Sequence, residues 1–297
     1  MTTRITQGMN TAIVLGDIQA VSQRLSKLQQ KLSSGKELQA PSDDPYGVTR
    51  ALQLRNDLEA NRQYQRNAID ANNWHSVTDT MLAHITDFVL RARDLVVQGA
   101  SDTVGPAGRQ AIVAEFTQLV DSVKTEANAK FAGRFVLSGS ATLTQPYAMG
   151  ATDTYAGNTD VMRREIGQGV QIDLNVNGSA TIGDASSGLL KAMRDAIAHL
   201  TTGDTASLQT TDLQAITAVT DGLTNLRAEV GTRQMRLETA TARLQQIELT
   251  ENELLSTVED ADMAKTYVDF STQQAVYQAA LKAGSQVIQP SLLDFLR

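Results

Sequence analysis

The sequence predicts a mainly α protein: a long coiled-coil helical rod formed by its N- and C-terminal segments, with a small β-containing insertion domain in the middle. Three observations carry this. Apolar residues recur in narrow stripes at alternating steps of three and four, the spacing of a coiled-coil seam. Aromatics make up only 4% of the 297 residues and proline only five, a mixture suited to long helices with thin interfaces. One central stretch alternates apolar and polar residues with a period of two, as a half-buried strand does.

The first element is a helix whose seam is Val14, Ile18, Val21, Leu25, Leu28 and Leu32, stepping by 4, 3, 4, 3 and 4. Its flanks (Gln19, Gln23, Arg24, Lys27, Gln29, Gln30, Lys31) are polar, so the apolar face is narrow and favours a partner helix. The stretch KLSSGKELQAPSDDP, Lys31 to Pro45, ends it. Gly35 suits the left-handed residue that closes a helix. Pro41 blocks continuation, Asp43 or Asp44 can cap a new helix, and Pro45 fits that helix's first position, where a missing N–H costs nothing.

The second helix begins near Tyr46 and carries the seam Trp74, Val77, Met81, Ile85, Phe88, Ala92 and Leu95. Gly105-Pro106 breaks it. A third helix follows, with Ile112, Phe116, Leu119 and Val123 on one face. After Ala129 the character changes. GRFVLSG is apolar and bounded by glycines, and VMRREIGQGVQIDLNVNG reads as a hairpin reversing at Gly167-Gln168-Gly169. In it Val170, Ile172, Leu174 and Val176 alternate with polar residues, and Asn177-Gly178 marks a further turn.

Helical character returns by Ser187 and becomes regular after Leu208, with the stripe Leu213, Ile216, Val219, Leu223, Leu226, Val230, Leu237, Leu244 and Ile247. The last helix shows a small-residue seam, Val268, Thr272, Val276, Ala280, Ala283 and Val287, followed beyond Pro290 by an apolar tip with Leu292, Leu293, Phe295 and Leu296. Residues 1–36 hold five Lys/Arg against one Asp, and 259–297 hold three against five Asp/Glu, so opposite charge favours pairing of the two ends. Isolated helices are marginal in water, and a six-residue seam buries little against the entropy of ordering a whole helix. Both ends are therefore expected to be unfolded in a free monomer and to fold on association. The expected organisation is 1–45 and 259–297 as terminal assembly segments, 46–128 and 205–258 as the helical rod, and 129–204 as the β-containing outer part.

Catalytic patterns are missing. With no Cys there is no disulfide, thiolate site or Cys nucleophile. His75, His84 and His199 stand in no metal-binding spacing and are expected on solvated or rim positions. No nucleophile elbow, phosphate loop or dinucleotide fingerprint occurs. Asp43 and Asp44 read as caps, and Glu259, Asp260 and Asp262, lacking a calcium loop's spacing, as a solvated helix segment. No catalytic residue, cofactor site or metal site is expected. A formal charge of -7 without a basic cluster argues against nucleic acid, and no apolar run reaches the roughly 20 residues needed to span a bilayer. The opening MTTRITQGMNTAIVLGDIQ has a short apolar core, Ala12–Leu15, and no small-residue cleavage site, so a cleavable signal peptide is not expected.

Several of these stretches carry a family resemblance. RLSKLQQKLSSGKELQAPSDDP (Arg24–Pro45), RARDLVVQGA (Arg91–Ala100), ANAKFAGRFVLSGSATLTQPY (Ala127–Tyr147) and LSTVEDADMAKTYVDFSTQQAVYQAAL (Leu255–Leu281) resemble, in order along the chain, the bacterial flagellin superfamily. Ser33, Ser34, Gly35, Pro41, Asp43, Asp44 and Pro45 form its signature linker. The Pro41–Pro45 form, the RFVLSGSATLTQPY passage, the short middle region and the SLLDFLR close look more like its hook–filament junction branch than like flagellin. The resemblance implies a non-catalytic structural subunit that leaves the cell unfolded through the flagellar type III export channel and acts outside it, in the flagellum. It implies a ring of copies on the neighbouring hook-associated protein, with flagellin polymerising on top, and a cytosolic export chaperone on the C-terminal segment from about Val258 to Arg297. The seam residues of both ends, with Leu292, Leu293, Phe295 and Leu296, would be the assembly contacts. A minor flagellin of the filament, or a secreted adhesin, remains the alternative.

Overall fold

A computed structural model of the protein describes residues 7–150 and 152–288. Its elements are α1 (Gln7–Ser34), α2 (Pro45–Gly99), α3 (Pro106–Ala127), β1 (Lys130–Phe131), β2 (Arg134–Phe135), β3 (Arg163–Gly167), β4 (Val170–Asp173), α4 (Ser179–Ile182), α5 (Gly188–Thr202), α6 (Thr205–Ser207), a π-helical turn at Leu208–Asp212, α7 (Leu213–Glu259) and α8 (Met263–Ile288). The chain is mainly α with a small β-containing insertion, as its patterning predicts. It divides into two units: one formed by the chain ends, up to Ala60 and from Glu248 onward, the other by Asn61–Ile247.

In the second unit the predicted stripes meet as one core. Met81, Ile85, Ala92 and Leu95 of α2 are buried with Phe116 and Val123 of α3 and with Ile216, Leu223, Val230 and Leu237 of α7. The α2 stripe is wider than its seam, because Leu82, Val89 and Val96 are buried too. A two-residue-wide face of this kind suits a helix covered on two sides rather than one. Helix α5 adds Leu189, Leu190, Met193, Ala196 and Leu200. The π turn was not expected. Leu208 and Asp212, four apart and so on one face, are both buried. Burial raises the Asp212 carboxyl above its usual range, opposed by His199, whose Nδ1 lies 2.8 Å from Asp212 Oδ2.

The insertion holds two antiparallel hairpins. β1 and β2 turn through Ala132-Gly133, both with positive φ, the backbone of a type I′ turn whose twist matches the strands. β3 and β4 reverse at Gln168-Gly169, with Gly167 opposite Val170. Ile172, Leu174 and Val176 face the core as predicted, whereas Val170, beside the turn, is half exposed. A buried ion cluster anchors the loops around them. Lys124, fully buried, donates to the carbonyl oxygens of Gly150 (2.7 Å) and Thr152 (3.0 Å) and pairs with Asp153. Arg194 Nε also donates to Asp153, at 2.6 Å. Burial alone would lift the Asp153 carboxyl; the hydrogen bonds from Arg194 and Lys124 outweigh it and hold it below the usual range.

Two expectations about polar residues need correction. His75 is fully buried, not solvated, because its turn of α2 lies beneath the core-facing side of the insertion; His84 and His199 keep partial exposure. Glu259 is buried as well, for a reason that belongs to the first unit.

Candidate assembly interface

The first unit is organised by α1 and α8, which pack against each other. On α1 the predicted seam, Val14, Ile18, Val21, Leu25, Leu28 and Leu32, is the half-buried stripe of the helix. On α8 the covered positions are Thr266, Phe270, Gln273, Tyr277, Ala280 and Gly284, stepping by 4, 3, 4, 3 and 4. This is a seam, but only Ala280 belongs to the one read from the sequence. Val268 (60% exposed), Val276 (44%), Thr272 and Ala283 face outward. The bulky Phe270 and Tyr277, seven residues apart, bury more area than valines on the other face would, and they set the rotation of the helix. The Val287 side chain and Leu292, Leu293, Phe295 and Leu296 lie outside the described residues.

Close approach of the two helices rests on Gly284. A Cβ there would sit 3.0 Å from Ile18 Cδ1 and 3.2 Å from Val14 Cγ1. The outward faces carry further apolar groups: Met9, Ile13 and Leu15 on α1, and Tyr267, Val268, Val276 and Leu281 on α8, all at least 44% exposed.

The signature linker fastens the other end of the pair. Gly35, at φ +70°, closes α1, its N–H donating to Lys31 O at 2.9 Å. Two backbone bonds then tie the linker to the α7–α8 joint: Glu37 N to Glu259 O (2.7 Å) and Ala261 N to Gly35 O (2.9 Å), flanking an antiparallel bridge between Lys36 and Asp260. Ser34 Oγ accepts from Lys36 N at 3.2 Å. Pro41 leads into a turn in which Asp43 Oδ2 accepts from Ala40 N, at 3.1 Å. Asp44 caps α2, accepting from Tyr46 N at 3.1 Å, with Pro45 at the first helical position. Ser33 is exposed.

The acidic trio that read as a solvated segment instead does three separate jobs. Glu259, with 7% of its side chain exposed, pairs with Arg55 and lies 3.6 Å from Lys36. Asp260 accepts from Lys36 Nζ at 2.6 Å, which raises the lysine's affinity for its proton and lowers that of the aspartate. Asp262 caps α8 by accepting from Lys265 N at 3.0 Å. The signal that could have found this was the match of an acidic joint near 260 with a basic one near 36. Among the described residues no group of three or more His, Asp or Glu could hold a metal ion, and no helix is long and apolar enough to cross a membrane.

Comparison with known proteins fits this geometry. The pattern of the bacterial flagellin N-terminal helical region matches residues 5–142, and that of the C-terminal helical region matches 213–296. The flagellar filament 31.3 kDa core protein of Treponema maltophilum is 27% identical over 282 residues, covering 92% of each chain. Flagellar hook-associated protein 3 of Escherichia coli K12 is 26% identical over 280 residues, covering 86% of this chain and 88% of that one. A solved putative flagellar hook-associated protein from Vibrio parahaemolyticus shares the fold, with a TM-score of 0.66 over 73% of this chain and 100% of its own, at 23% identity. The chain belongs to the flagellin superfamily, the structural proteins of the bacterial flagellum.

Proposed function

We propose that this protein is the adaptor that joins hook to filament and templates the polymerisation of flagellin, without catalysis. The observation that carries the reading is its similarity to hook-associated protein 3 over 280 residues, 86% of this chain and 88% of that one, together with the short middle section between its helical regions. Copies would form a ring, seated on the neighbouring hook-associated protein on one side and meeting flagellin on the other. The outward apolar faces of α1 and α8 suit contacts between copies, since large exposed apolar patches mark interaction surfaces. Before assembly the two ends would be unfolded, with a cytosolic export chaperone on the C-terminal segment, and the chain would reach the cell exterior through the flagellar export channel.

A second reading is favoured by the Treponema filament core protein, which matches over as much of the chain: a minor flagellin. A deletion strain separates the two. Loss of an adaptor leaves intact hooks and releases flagellin as monomer into the medium. Loss of a minor flagellin leaves filaments in place. Retained filaments after deletion would overturn the adaptor reading.

A further inference from the structure

His75 lies on the inner side of α2, fully buried, and neither ring nitrogen has a hydrogen-bond partner among the described residues. The charge that faces it from α7 is Arg233, which donates to the carbonyl oxygens of Asp173 (3.3 Å) and Asn175 (2.8 Å) at the end of β4 and pairs with Glu229. From β4, Asp173 turns its carboxylate to Arg163 at 3.2 Å and stands 4.0 Å from Arg233, leaving a backbone carbonyl as its contribution near the imidazole. From β3, Arg164 is engaged with Asp70 of α2, and Asn67 donates to Glu165 O at 2.7 Å. The β3–β4 hairpin is thus held to α2 and α7 by backbone carbonyls that accept from Arg233 and Asn67 and by Arg164, which donates to Asp70, over a histidine with no carboxylate of its own.

We propose that His75 is an acid-sensitive latch: protonating its ring places a second positive charge beside Arg233 in a dry site and releases the β3–β4 hairpin from α2 and α7, while the helices stay packed. A buried charge without a partner is not tolerated, and the least firmly anchored layer covering it gives way first. The hairpin is that layer, since its two strands are five and four residues long and each buries one residue. Burial, reinforced by Arg233 and weakly opposed by the Asp173 carbonyl, holds the imidazole proton affinity down, to a pKa of about 4, so the latch stays closed near neutrality. Histidine is the side chain suited to such a response.

The test uses the full chain, which has no cysteine, with a single spin label at Val170→Cys on the exposed turn. Between pH 7 and 4 the label should become mobile while far-ultraviolet circular dichroism stays helical. His75→Leu and His75→Gln should lower the midpoint of that change by about one pH unit or more, since a neutral side chain removes the proton uptake that drives it. An immobile label through pH 4, or the same midpoint in both variants, overturns the proposal. Should either variant fail to fold, proton resonances of the three histidines in the wild-type chain decide. His75 titrating together with the label change supports the latch, and His75 titrating near its ordinary value with no change in the label overturns it.

Discussion

The Arg55 guanidinium donates to the Glu259 carboxylate across 204 residues of sequence, and only 7% of the Glu259 side chain meets solvent while 53% of Arg55 does. The two partners are therefore not equivalent. Arg55→Ala strands a buried carboxylate with Lys36 3.6 Å away, and should cost about 1–3 kcal/mol. Glu259→Gln leaves a solvent-reachable arginine and a neutral amide and should cost less. Thermal unfolding of the two variants, followed by circular dichroism, checks the order; equal losses would mean that the pair behaves as an exposed one.

Gly284 tests the packing of the terminal pair. Gly284→Leu would drive a side chain into Val14 and Ile18 and should separate α8 from α1, read as faster tryptic cleavage at Lys27, Lys31 and Lys282. Gly284→Ala sets a contact tightened by a few tenths of an ångström against a gain in helix propensity of about 1 kcal/mol, so its cleavage pattern should stay close to wild type.

Leu28 sits half-buried in the α1 seam. Leu28→Asp places a charge there and should leave the unit of Asn61–Ile247 with its normal melting transition. On the proposed adaptor reading, incorporation at hook tips, scored by labelled protein on cells, should be lost. Normal incorporation would remove α1's seam from the assembly contacts.

The Lys124–Asp153–Arg194 cluster should give the loops around Gly150–Asp153 an acid response of their own, apart from the β3–β4 hairpin. The folded Asp153 holds its charge below the usual carboxylate range, so the stability it adds is complete above that range and is lost as pH falls through the folded value. Asp153→Asn leaves Lys124 charged and fully buried and should cost about 3–5 kcal/mol in denaturant unfolding. The variant's stability should also fall less steeply than the wild type's as pH drops through the acid range, the sign expected when the missing group is an acid.

How far the sequence spoke depended on how local the cause was. The α1 seam and the linker were legible because Gly35, Asp44 and Pro45 act through their own backbone neighbours. The stripes of α2 and α7 were legible because burial repeats with the helix turn. The rotation of α8 was not: two apolar stripes compete on that helix, and only the partner decides that Phe270 and Tyr277, rather than Val268 and Val276, turn inward. Glu259 and His75 escaped for the same reason. Their surroundings come from Arg55 and Lys36 in one case and Arg233 in the other, none of them near in sequence.

The clasp between Gly35–Glu37 and Glu259–Ala261 sets an order of birth. A ribosome releases α1 first, yet the strand-like partner that receives it, and the helix that covers its seam, are made only after the whole second unit. Every residue of the second unit is available to condense before the first unit has its second half. Translation itself thus keeps the two halves of the first unit apart until the second unit is complete, so a nascent chain carries one bare helix until then.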